Sequence, residues 1–94
     1  MVRYLVAFDI PDDATRKEIG DLLEAFGTRV QRSVFEISVK TDRDLGRLQT
    51  EILERLDQEA DSVRFYPLCE DCAAKAFELG NFPDPFDEEG IFVF

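Results

Sequence analysis

The chain has 94 residues, room for one small domain, since domains commonly run to about 100–150 residues. Apolar types make up 45% and charged types 34%, the balance of a globular chain rather than a disordered or low-complexity one. Its 21 acids and 11 bases leave a net charge of −10, and histidine is absent. That excludes a histidine general base, a Ser-His-Asp triad and any His-ligated metal site.

The charge is uneven. Residues 1–69 carry a net −4, whereas residues 70–94 carry seven acids and one base, a net −6. An acidic chain argues against non-specific cationic binding of nucleic acid, although local patches escape that argument. No stretch approaches the roughly 18–20 apolar residues of a membrane span. The apolar N-terminus reaches Asp9 without a small-residue cleavage site, so no signal peptide is read and a cytoplasmic location is expected.

Residues 3–9 read as a strand, with Leu5, Val6, Ala7 and Phe8 as a short apolar run. Pro11 ends it, and Asp12 or Asp13 is placed to cap a helix. Over residues 13–26, Ile19, Leu22, Leu23 and Phe26 fall on one helical stripe, and Gly27 stands where a helix C-cap prefers glycine. From residue 33, Ser33, Phe35, Ile37 and Val39 share one face of a strand, and Val34, Glu36 and Ser38 the other. The step through Val30, Gln31 and Arg32 fits either a short preceding strand with a tight turn or a bulge in one bent strand. Thr41 with Asp44 has the spacing of a capping box. Leu45, Leu48, Ile52, Leu53 and Leu56 predict a second helix over about 42–59. Residues 62–68 read as a further strand that ends at Pro67 or lies at a sheet edge.

The order β-α-β(β)-α-β predicts an α+β fold, the ferredoxin-like βαββαβ arrangement of an antiparallel sheet with two helices on one face. So small a core leaves one sheet face uncovered, and dimerisation is the usual remedy. Residues 1–80 form this domain. Residues 81–94 read as an acidic connector ending in Ile91, Phe92, Val93 and Phe94, an apolar run expected to add as a strand to an edge of its own sheet, a dimer mate's or a partner's.

Four stretches together resemble one family: Tyr4 to Asp13 (YLVAFDIPDD), Gly27 to Glu36 (GTRVQRSVFE), Asp61 to Cys69 (DSVRFYPLC) and the Cys69-Glu70-Asp71-Cys72 continuation. The family is that of the small CRISPR-associated adaptation proteins, the Cas-two endoribonucleases. The resemblance covers residues 2–80. It implies a homodimer that binds double-stranded DNA and bridges two dimers of the CRISPR integrase during spacer acquisition. It also implies a Mg²⁺-dependent nuclease acting on single-stranded RNA or double-stranded DNA. The family's metal-binding, catalytic Asp matches Asp9, one from each subunit facing the dimer axis. Its basic positions match Arg16 and Arg29, and the Ser and Phe of its strand motif match Ser33 and Phe35. Two positions where the family often has Tyr hold Phe8 and Arg32 here. The first removes a hydroxyl near the implied metal; the second adds a phosphate contact.

The residues themselves allow plainer roles. One carboxylate does not hold Mg²⁺ tightly, because the ion takes one or two carboxylates together with water and phosphate oxygens, so Asp9 needs a second chain or is simply a turn former beside Pro11. Arg3, Arg16, Arg29 and Arg32 suit phosphates, which guanidinium groups grip bidentately; the alternative is surface pairing with Glu18, Asp21 or Glu24. Cys69 and Cys72 form a lone C-x-x-C with no second ligand pair for structural zinc, and are expected as two reduced, partly buried thiols. Phe35 and the first helical stripe read as core. Beside the Mg²⁺-dependent endonuclease stand two alternatives: a non-catalytic DNA-bridging adaptor, and a small-molecule regulatory domain, which the lack of a Gly-rich loop disfavours.

Overall fold

The computed structural model of the chain describes residues 1–86. Its elements are β1 (Val2–Asp9), α1 (Asp13–Glu24), β2 (Gly27–Gln31), β3 (Val34–Val39), α2 (Asp42–Arg55), β4 (Ser62–Leu68) and α3 (Glu70–Lys75). The strands form one antiparallel sheet in the order β2-β3-β1-β4, the ferredoxin-like arrangement read from the sequence. The strand expected at residues 91–94 lies outside the described residues.

Period-two alternation assigns the faces. Tyr4, Val6 and Phe8 of β1 lie level with Ile37 and Phe35 of β3 and with Phe65 and Val63 of β4. All belong to the core or pack against it, together with Ile19 and Leu23 of α1 and Leu48 and Ile52 of α2. Each such side chain, once fully buried, contributes about 1.5–3 kcal/mol. Both helices therefore cover one face, and Arg55 Nε reaches Glu18 Oε2 at 3.3 Å to tie α2 to α1.

The helix starts follow the capping chemistry of the sequence. Asp12 accepts from Thr15 N at 2.8 Å, and this backbone N–H is the main reason its carboxyl lies below the ordinary value. Thr41 Oγ1 accepts from Asp44 N at 3.1 Å.

Several boundaries differ from the sequence reading. α1 stops at Glu24 with Ala25 as its C-cap, and Gly27 opens β2 instead of capping the helix. A Cβ at Gly27 would sit 1.9 Å from Glu36 O and 2.6 Å from Ile37 Cα, so the glycine is required by the close approach of β3. Ser33 lies in a turn, and β2–β3 is a hairpin with an irregularity between Arg29 and Gln31. This selects the separate strand and turn, with the extra residue in β2 itself. α2 ends at Arg55 because Leu56 turns extended (ψ 143°), and Asp61 N then closes a turn onto Asp57 O at 2.8 Å. Leu53, placed on the helical stripe, is 55% exposed, since it stands one residue beyond the buried Ile52 and is rotated about 100° away.

The other sheet face is only partly covered. α3 follows β4 and buries Ala73 apart from the main core. Ala73 and Phe86 border a cavity with Arg3. Phe86 N donates to Glu36 Oε1 at 3.1 Å. No helix among the described residues is long and apolar enough to cross a membrane.

Candidate nucleic-acid and metal site

Asp9 closes β1 opposite Ser62 of β4. Its alternation with Arg3, Leu5 and Ala7 puts it on the face away from α1 and α2. The carboxylate is exposed and makes no hydrogen bond or ion pair among the described residues.

Long-range contacts bring the other candidates to the same end of the sheet. Phe8 N donates to Ser33 O at 3.0 Å, which fixes the β2–β3 turn against the end of β1. Arg29 Nη1 donates to Arg32 O at 2.7 Å across that turn. The Arg29 guanidinium lies over the Phe35 ring, 4.9 Å from Cζ to centroid, and Phe35 stacks on Phe8 with centroids 6.1 Å apart. Arg16 Nη1 donates to Ile10 O at 2.8 Å and to Pro11 O at 3.4 Å, and Nη2 pairs with Asp13.

These contacts separate the roles. Arg29 and Arg32 are exposed and present charge to solvent at this end of the sheet, Arg29 on the helix-covered face over Phe35 and against Gly20 of α1 and thus on the opposite face from Asp9. Arg16 is half-buried; it clamps the backbone that leaves β1 and pairs with Asp13 rather than with the α1 acids named above. Phe8 and Phe35 are buried and act as a platform under Arg29 instead of touching a ligand. Ser33 takes part through its carbonyl.

Gly20 escaped the sequence reading. It is buried, and a Cβ there would meet Arg29 Nη2 at 2.6 Å, so its missing side chain makes room for the guanidinium. A small residue between Ile19 and the Leu22-Leu23 pair on the apolar stripe was the available signal. At the opposite end of the open face, Arg3 Nε is buried without a hydrogen-bond partner among the described residues. Burial pushes the Glu36 carboxyl up, the Phe86 N–H opposes this, and Glu78 adds to the rise. A groove of about 520 Å³ at the β2 edge is bordered by Phe26, Val30, Glu36, Phe82 and Phe86 and does not include Asp9.

No group of three or more acids or cysteines among the described residues is arranged to hold a metal ion. Mg²⁺ keeps several waters and takes one or two carboxylates with phosphate oxygens. The exposed Asp9 suits an ion shared with a phosphate or a second chain, and one chain alone does not enclose it. The cysteines depart from expectation: Cys69 and Cys72 are free and exposed, because α3 turns Ala73 inward instead.

Comparisons with known proteins agree with this arrangement. The model of the family described as CRISPR associated protein Cas2 matches residues 1–76. A CRISPR-associated endoribonuclease Cas2 of Synechocystis is 47% identical over 68 residues, 72% of this chain and 73% of the relative. A CRISPR-associated endonuclease Cas2 of Thermus thermophilus is 43% identical over 82 residues, covering 87% and 86%. Among solved structures, a hypothetical protein from Thermus thermophilus superposes with a TM-score of 0.77 at 38% identity, covering 89% of this chain and 96% of that one. A chain of a partial Cas6-RT-Cas1–Cas2 complex gives 0.76 at 35% identity over 94% and 99%. With its ferredoxin-like sheet, the Asp at the end of β1 and a family match over most of its length, the chain belongs to the CRISPR-associated Cas2 family.

Proposed function

We propose that the chain acts as a homodimer that binds double-stranded DNA, joins the CRISPR integrase in spacer acquisition, and hydrolyses phosphodiester bonds of DNA or single-stranded RNA with Mg²⁺ at Asp9. One observation carries the reading. The Asp9 carboxylate is exposed and, among the described residues, unpaired on the sheet face that α1 and α2 leave open, at the same end of the sheet as Arg29 and Arg32. A two-fold axis across that face supplies a second Asp9 to the same ion. The endoribonuclease and endonuclease names of the relatives support the reaction class, and the Cas1–Cas2 complex among similar structures supports the integrase partner.

In this reading Asp9 would hold the ion, and Arg32 at the β2–β3 turn and Arg29 on the α1 side of the same sheet end would grip phosphates further along the nucleic-acid strand. Arg16 adds charge and keeps the chain after Asp9 in place. Bound Mg²⁺ supplies an acidified water and a clamp on developing phosphoryl charge. A second reading, a non-catalytic DNA-bridging adaptor, is favoured by the single carboxylate that each chain offers.

The test is cleavage of labelled single-stranded RNA and double-stranded DNA with Mg²⁺ or EDTA, beside Asp9→Ala. Mg²⁺-dependent cleavage lost in the variant supports the nuclease. Equal trace activity in both proteins overturns it, and retained DNA binding then leaves the adaptor.

A further inference from the structure

We propose that Cys69 and Cys72 form a thiol–disulfide exchange site, in which Cys69 attacks a low-molecular-weight disulfide of the glutathione class and Cys72 resolves the product to an intramolecular disulfide. Cys69 ends the connection from β4, and its Sγ accepts from Cys72 N at 3.3 Å. Both side chains are exposed, so a small disulfide has access to them. Cys69 caps α3 in extended backbone and Cys72 is the third residue of the helix, so the 3.3 Å contact already holds Cys69 Sγ against the Cys72 backbone, and closing the S–S bond brings the two Cβ atoms to about 3.5–4.5 Å.

The two thiols are not equivalent. The backbone N–H of Cys72 is the main influence holding the Cys69 thiol below its ordinary value. The hydrogen bond with Cys69 raises Cys72. Thiolate character selects the attacking sulfur, so Cys69 is the nucleophile and Cys72 the resolving thiol.

The steps balance. The Cys69 thiolate attacks one sulfur of the small disulfide; that S–S bond breaks, a mixed disulfide forms on Cys69 and one thiolate leaves. Cys72 loses its proton, and its sulfur attacks Cys69 Sγ. The mixed bond breaks, and the second small thiol departs. Two protein thiols are oxidised, and one small disulfide is reduced to two thiols. The product links the end of β4 to the first turn of α3, the helix that lies against the open sheet face.

The experiment incubates the full chain with mixtures of reduced and oxidised glutathione, followed by intact mass and non-reducing peptide mapping. The expected product is a monomeric chain two hydrogens lighter, with the link mapped to Cys69–Cys72. Cys72→Ser should retain one glutathione on Cys69, and Cys69→Ser should react about tenfold more slowly. An inter-chain disulfide, equal reactivity of the two thiols, or stable glutathione adducts on the wild-type chain without an internal link would overturn the proposal. The peptide map of the wild-type chain decides the matter even where a variant folds poorly.

Discussion

The guanidinium of Arg29 rests on the ring of Phe35, Cζ 4.9 Å from the centroid, and bonds the carbonyl of Arg32 at 2.7 Å. One side chain thereby joins the core to the turn beside Asp9. A cation–π contact at an exposed site is worth about 0.5–1 kcal/mol, and the carbonyl hydrogen bond adds about 1 kcal/mol. Arg29→Ala is expected to lower stability in urea unfolding by about 1–2 kcal/mol. If Arg29 also contacts phosphate, the same variant lowers the salt slope of DNA binding by about 1. An unchanged slope assigns Arg29 to the fold alone.

Arg16 gives a different signature. Its guanidinium donates to Ile10 O and pairs with Asp13. Arg16→Gln should cost about 1–2 kcal/mol of stability, read by thermal and urea unfolding. Because Asp9 immediately precedes the clamped turn, Mg²⁺-dependent cleavage should fall with it.

Two glycines make opposite predictions. Gly27→Ala drives a Cβ into Glu36 O and Ile37 Cα, backbone atoms with no rotamer to adjust, and should destabilise by about 3 kcal/mol or prevent folding. Gly46 lies within α2, and a Cβ there meets nothing within 4 Å. Gly46→Ala should stabilise the protein by about 0.5–1 kcal/mol. Urea midpoints of the two variants test both.

Glu36 sets a pH dependence. Burial raises its carboxyl above the ordinary 4.5, against the Phe86 N–H and together with Glu78. A raised folded value means that the folded chain keeps a proton that the unfolded chain has released. Stability therefore falls as pH rises from about 4.5 to the folded value, and the loss persists above it. Glu36→Gln keeps an oxygen for Phe86 N and removes the titration. The stability difference between wild type and variant should grow with pH across that window and then level off; a difference independent of pH would refute this.

The strands and helices were legible because their signals are local. The run Leu5 to Phe8, the stripe of Ile19, Leu22 and Leu23, and the caps Asp12 and Thr41 each lie within a few residues of what they specify. Asp9 was legible from its motif, as was the cluster around Arg29. Phe35 read as core from its strand face and is core, but the motif did not divide the rest of the labour: Phe8 is core too, and Arg16 is a clamp.

What the sequence determined by itself is the element order, hence the fold, together with the charge asymmetry and the absence of histidine chemistry. The tertiary structure decided the rest. Gly27 opens a strand because β3 passes 1.9 Å from where its Cβ would be, and Gly20 leaves room for Arg29 reaching in from β2. Glu36 is burdened by burial beneath a segment 50 residues away in sequence. Cys69 and Cys72 are exposed because α3 buries Ala73 instead. Each of these depends on which backbone approaches which, a long-range choice that periodicity over a few residues does not encode.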